Sequence, residues 1–154
     1  MAYIRELFPK LNFVYTVATG ILDDQTLMIH LMGFYAESAD CDVIRELLDM
    51  RPLHSVEGLT VQGLIRAAET QRRLFADKDF RAAVLVNSAE YKKGIEIYSS
   101  LANTGKLQVK AFENGLNEPL AWLGYNKDEG IRIKRFINRR TSQGQYHRPV
   151  PVAL

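Results

Sequence analysis

The sequence predicts an α/β fold: a mostly parallel sheet of about five strands with an N-terminal antiparallel hairpin and four helices. Two observations carry that reading. Strand-like runs pass directly into helix-like runs three times: IRELLDMRPL into LTVQGLIRAAETQRRL, RAAVLVNS into AEYKKGIEIYSSL, and KLQVKAF into GLNEPLAWLG. Parallel strands require such a covering crossover between them. In addition, the β-like runs AYIRELF and NFVYTVATG are separated by only Pro9-Lys10-Leu11, a hairpin spacing that ends at Gly20.

The helices follow in order. Asp23 or Asp24 offers an N-cap to a first helix over about residues 23–38, with Leu27, Leu31, Phe34 and Tyr35 on one apolar face. The strand IRELLDM ends at Arg51-Pro52, where proline's missing N–H suits a strand exit. Val61, Leu64, Ile65 and Ala68 form the predicted stripe of the second helix. Ser88 caps the third, whose stripe is Tyr91, Ile95, Tyr98 and Ala102. In the fourth, Leu116, Leu120 and Leu123 face inward, Trp122 packs beside them, and Gly124 stands at the C-terminus.

With 154 residues, 47% hydrophobic and 25% charged, the chain reads as ordinary globular material able to build one core without disulfide or metal. The lone Cys41 stands among acidic neighbours, without a partner base to activate it, so it reads as inert, and a single cysteine suits a reducing, cytoplasmic compartment. No run approaches the ~18–20 apolar residues of a membrane span, and MAYIRELFPK lacks the apolar core of a signal peptide.

Charge is unevenly placed. Residues 127–154 hold seven basic and two acidic side chains, net +5, while residues 1–126 hold 13 basic against 16 acidic, net −3. We therefore divide the chain into an α/β domain over 1–125 and a basic C-terminal extension over 126–154. IRIKRFI alternates apolar and basic positions as a half-solvated strand does, so the extension reads as packing on its own acidic domain or on a second copy, not as a nucleic-acid tail.

Open parallel sheets bind ligands beyond the carboxyl ends of their strands. Those ends present Asp49, Arg51 and His54 from one strand, Asn87, Ser88 and Tyr91 from the next, and Glu113 with Asn114 from the last. An Asp49–Arg51 ion pair and a Ser88 helix cap are the plainer readings of those residues. The three histidines, 30, 54 and 147, share no metal-ligand spacing, and the glycines assemble neither a dinucleotide fingerprint nor a phosphate loop. No cofactor, metal or catalytic set is expected.

The segments Val17-Ala18-Thr19-Gly20-Ile21-Leu22, Arg45-Glu46-Leu47-Leu48-Asp49-Met50-Arg51, Arg81-Ala82-Ala83-Val84-Leu85-Val86-Asn87-Ser88 and Val109-Lys110-Ala111-Phe112-Glu113-Asn114, closing on Leu120-Ala121-Trp122-Leu123-Gly124, together resemble the bacterial SpoIIAA-like proteins. These are small α/β domains related to the STAS (anti-sigma-factor antagonist) and CRAL-TRIO folds. The resemblance covers residues 2–124 and implies the fold more than any chemistry. The phosphorylatable serine of STAS antagonists does not carry over, because the matching stretch reads Ser55-Val56-Glu57-Gly58 and only Gly58 agrees.

Two functional classes follow. One is a non-catalytic regulatory or interaction module that meets a protein partner or a second copy of itself. The other, implied by the CRAL-TRIO relationship, is a carrier or sensor of a small apolar, lipid-like ligand, held where the first and third helices part over a hydrophobic pocket.

Overall fold

The computed structural model describes residues 2–142; His147 and Arg148 of the basic extension lie outside them. Strands β1 (Ala2–Phe8) and β2 (Phe13–Asp23) form the expected antiparallel hairpin across the one-turn helix Pro9–Leu11, and β2 runs on past Gly20. Then come α1 (Asp24–Glu37), β3 (Val43–Asp49), β4 (Leu53–Gly58), α2 (Val61–Leu74), β5 (Asp79–Leu85), α3 (Ala89–Ala102), β6 (Leu107–Phe112), α4 (Asn117–Trp122) and α5 (Lys127–Ser142). The sheet has six strands in the order β1-β2-β3-β5-β6, with β4 parallel to the far end of β2; every pairing after the hairpin is parallel.

A parallel sheet needs cover on both faces, and this one has it. On one face lie Val14, Ala18, Ile44, Met50, Phe80, Ala82 and Val84, packed against α1, α2 and α3. On the other lie Phe13, Tyr15, Val17, Leu47, Ala83 and Leu85, packed against α4 and α5. Side-chain alternation along each strand sorts one set from the other.

The helix starts follow from their caps. Asp23 and Thr26 form a reciprocal capping box on α1, the Asp23 carboxylate accepting from Thr26 N–H at 2.8 Å. Thr60 and Ser88 accept from Gly63 and Tyr91 N–H at 2.9 and 3.1 Å, capping α2 and α3. Asp24 accepts two bonds from Thr60, at 2.9 Å from its N–H and 2.6 Å from its hydroxyl, joining the starts of α1 and α2. Gly63 permits this: a methyl there would stand 1.9 Å from the Asp24 carboxylate.

Three sequence expectations change. The loop after Arg51-Pro52 contains β4, which carries His54 and Ser55. The α2 stripe is rotated by about one position: Gly63, Ala67, Ala68 and Gln71 are buried, while Val61 is 74% exposed and Ile65 stands outside. IRIKRFI is helical, not strand-like. Ile133 and Ile137, one turn apart, are 0% and 5% exposed in the second core, and the alternating Ile131 points outward.

Trp122 packs 5.7 Å from Phe112, with the Arg81 guanidinium 6.0 Å from its ring centre and donating to its carbonyl at 3.0 Å. The ring is only partly covered. Trp122→Ala is expected to cost about 2–3 kcal/mol in denaturant titration, below the ~3–5 of a fully enclosed ring.

Candidate ligand-binding cavity

Ile44, Glu46 and Leu48 of β3, and Met50 just past its end, face α1–α3 at alternate positions. Period-2 geometry thus drives a carboxylate into a core, and Glu46 is 3% exposed. Burial raises its pKa from the ordinary 4.5 to about 7, against the opposing pull of the Thr16 hydroxyl, which donates to Oε2 at 2.7 Å, and of the Arg5 charge.

His30 arrives from α1, on the side shared with Leu27, Leu31 and Phe34. Its Nδ1 lies 2.8 Å from an Arg5 guanidinium nitrogen; arginine only donates, so Nδ1 accepts and the ring proton sits on Nε2. That Nε2 is 3.9 Å from Glu46 Oε2, and the ring stacks on Tyr3 at 4.0 Å between centroids. Burial first, and the Arg5 charge second, hold the His30 pKa well below its ordinary value, so the ring is neutral. The Arg5 charge is met by Glu37, at 2.7 and 3.0 Å.

These groups border a cavity of about 270 Å³ between the sheet and α1–α3. Its walls are mostly apolar: Leu22, Leu31, Phe34, Met50, Phe75, Phe80 and Val84 among them. α2 packs between α1 and α3, so the roof comes from three helices, where the sequence suggested two parting. Leu27, Leu59, Leu64 and Tyr91, all partly exposed, lie around its entrance at the carboxyl ends of the strands. Further in are Glu46, Gln71 and Tyr98, the Tyr98 hydroxyl donating to Gln71 Oε1 at 2.5 Å.

Asp49, Arg51 and Asn87 do meet at the carboxyl ends of β3 and β5. Arg51 forks onto Asp49 at 2.9 and 2.8 Å and adds its own N–H at 3.0 Å. Tyr15 OH donates to Asp49 at 3.3 Å, and the Asn87 amide donates to the Arg51 carbonyl at 3.3 Å. This cluster is closed upon itself, and the Asp49 bonds raise the Arg51 pKa. Ser88 serves as the α3 cap, and Tyr91 turns into the cavity. His54 is exposed on β4, while Glu113 and Asn114 border a separate polar groove beside α3. The sequence reading passed over His30, Glu46 and Gln71 as cavity residues.

Among the described residues no three His, Cys, Asp or Glu side chains are grouped to hold a metal ion, and no helix is long and apolar enough to cross a membrane.

No family model matches the chain, and no curated protein matches it. Among solved structures, the chain is similar to the crystal structure of an uncharacterized protein of the DUF3478 family with a SpoIIAA-like fold, from Shewanella loihica PV-4. The two are 18% identical, with a TM-score of 0.50 over 79% of this chain and 92% of that one. The fold is SpoIIAA-like: a mixed sheet with an antiparallel N-terminal hairpin and parallel strands covered by helices on both faces.

Proposed function

We propose that this protein is a non-catalytic carrier or sensor that holds a small, largely apolar molecule in the cavity beneath α1–α3. The observation that supports this is the cavity itself: about 270 Å³ of mostly apolar space, just below the ~300–1,000 Å³ of typical ligand pockets. Protein interiors are otherwise packed with few voids larger than a water molecule. No serine, threonine, cysteine or lysine lines it, which favours binding over group transfer. Of the eight strand-end residues, Tyr91 alone touches the ligand in this reading; Asp49, Arg51 and Asn87 hold the ends of β3 and β5 together beside it.

Native mass spectrometry before and after organic extraction tests the proposal, a retained small apolar adduct supporting it. Gly94 supplies a sharper test. It lines the cavity on α3, and a Cβ added there meets nothing within 4 Å. Gly94→Leu is expected to weaken binding of the neutral fluorophore N-phenyl-1-naphthylamine at least tenfold. It should leave stability unchanged or up to ~1 kcal/mol higher, since glycine is a poor helix residue. Undiminished fluorophore binding in Gly94→Leu would overturn the assignment of the cavity.

The interaction-module reading draws its own support from α2, whose outward Val61 is 74% exposed with Ile65 one turn beyond it. A clean dimer without adduct in the same spectra would favour that reading.

A further inference from the structure

We propose that the cavity selects an uncharged amphipathic ligand, one with a short apolar body and a single neutral oxygen, hydroxyl or carbonyl, that enters oxygen first and hydrogen-bonds at Glu46 and Tyr3. This rests on the cavity being a ligand site, as argued above. Four buried polar groups lining it lack a protein hydrogen-bond partner among the described residues: Glu46 Oε1, the Tyr3 hydroxyl, the Gln71 amide nitrogen and the His30 Nε2–H, which stands 3.9 Å from Glu46 Oε2. Buried polar atoms are nearly always paired, so four orphans lining one cavity, from both the sheet and the helices, mark a place where a ligand completes the bonding.

Depth sets the orientation. Glu46 lies on β3 four residues before Met50, which stands just past the strand's end, about 13 Å of extended chain from the open end. Gln71 and Tyr98 each lie seven residues inward from the entrance residues Leu64 and Tyr91, about 10 Å of helix. Glu46, Gln71 and Tyr98 therefore sit below an apolar neck, with the Tyr3 backbone nearer the open end, opposite Ala18, and a ligand's polar end must travel past that neck to reach Glu46.

Charge is selected against. The cavity is lined by no lysine or arginine, and the nearest cation, Arg5, is bonded to Glu37 and to the far side of the His30 ring. A carboxylate head would thus be buried unpaired. An ammonium head could meet the exposed Glu90 only at the rim; at depth it would require Glu46 ionised, a buried pair whose desolvation outweighs its attraction. A neutral oxygen meets the protonated Glu46 carboxyl, the tyrosine hydroxyl and the amide as donors, with no charge to desolvate.

The experiment is displacement of N-phenyl-1-naphthylamine at pH 6, where Glu46 is mostly protonated and both ionic probes keep their charge, by four eight-carbon probes: 1-octanol, 2-octanone, octanoate and octylammonium. The alcohol and ketone are expected to displace it at concentrations at least tenfold lower than either ion, the scale of one well-made hydrogen bond. In Glu46→Leu, fluorophore affinity should stay within about threefold of wild type while the alcohol's advantage is lost. Tyr3→Phe should reduce that advantage and keep the fluorophore bound. Preference for octanoate or octylammonium, or an unchanged ranking in both variants, overturns the neutral-oxygen assignment while leaving the cavity a ligand site. Failure of wild type to bind the fluorophore overturns both.

Discussion

A chain ending at Tyr125 is expected to lose its cooperative thermal transition. α5 and the short α4 are the cover on the second face of the sheet, and removing α5 leaves Phe13, Tyr15, Leu47 and Leu85 to water on that side. The helix is tied down along its length. Ile133 and Ile137 enter the core, Phe136 stacks on Phe8 at 5.6 Å, and Arg140 reaches Glu6 at 3.3 Å. Just before it, the Tyr125 hydroxyl donates to the Leu11 carbonyl at 2.7 Å. The point substitution Ile133→Ala should cost about 2–5 kcal/mol, a large part of a domain's ~5–15 kcal/mol. At ~2–4 °C per kcal/mol for a chain of this size, differential scanning calorimetry should show Tm falling by roughly 5–15 °C. Ile131→Ala, on the outward side, should stay within about 1 kcal/mol. The division into a 1–125 domain and a basic 126–154 extension makes the opposite forecast, a truncated chain that melts cooperatively near the full-length Tm, and that outcome would establish it.

The same comparison shows what the sequence made legible. Alternating periods revealed the hairpin, the parallel strands and α1–α4, because each depends on local pattern: caps at Asp23 and Ser88, stripes at Leu31/Phe34 and Tyr98/Ala102. β4 was hidden because Leu53–Gly58 is short and polar, and its existence depends on irregular pairing with the end of a distant strand, β2. α5 was misread because Ile131 and Ile133 alternate like a strand, whereas the pair that counts is Ile133/Ile137, a spacing that only the covered sheet face selects. The strand-end residues were placed correctly along the chain, yet the bonds of Asp49 and Arg51 to each other are decided by side-chain geometry that spacing does not encode. Glu46 did leave a trace. It shares alternate positions with Ile44 and Leu48, and in a parallel sheet covered on both faces either side of a central strand is buried; the cavity beside it depends on helix packing that the strand pattern does not encode.

That buried carboxyl governs the pH dependence of stability. Glu46→Gln is expected to raise Tm at pH 8.5 by several degrees while changing it little at pH 4.5. The groups facing Glu46 are Arg5 and Tyr3 from β1, Thr16 from β2, His30 from α1, Gln71 from α2 and Tyr98 from α3. Burial keeps both tyrosines neutral and His30 uncharged, so Arg5, already engaged by Glu37, is the one charge opposing the desolvation of Glu46. The Glu46 pKa is raised from 4.5 in the unfolded chain to about 7 in the folded one. The folded state therefore holds the proton more tightly, and the associated stability is complete below pH 4.5 and lost as pH rises through 7. The full difference corresponds to roughly 3 kcal/mol. At ~2–4 °C per kcal/mol that is on the order of 6–12 °C of Tm at alkaline pH. Glutamine resembles the protonated carboxyl in shape, can still accept from Thr16, and carries no charge to desolvate at any pH. Asp23, Asp24 and Asp79, whose pKa values are lowered by Thr26, Thr60 and Arg45, lose stability toward acid, but do so equally in both proteins. The difference between the two Tm-against-pH curves thus isolates Glu46. It should open as pH rises above 4.5, reach half its size about midway between 4.5 and 7, and flatten above 7; parallel curves would mean that the Glu46 carboxyl is solvated and the cavity open to water at its deep end.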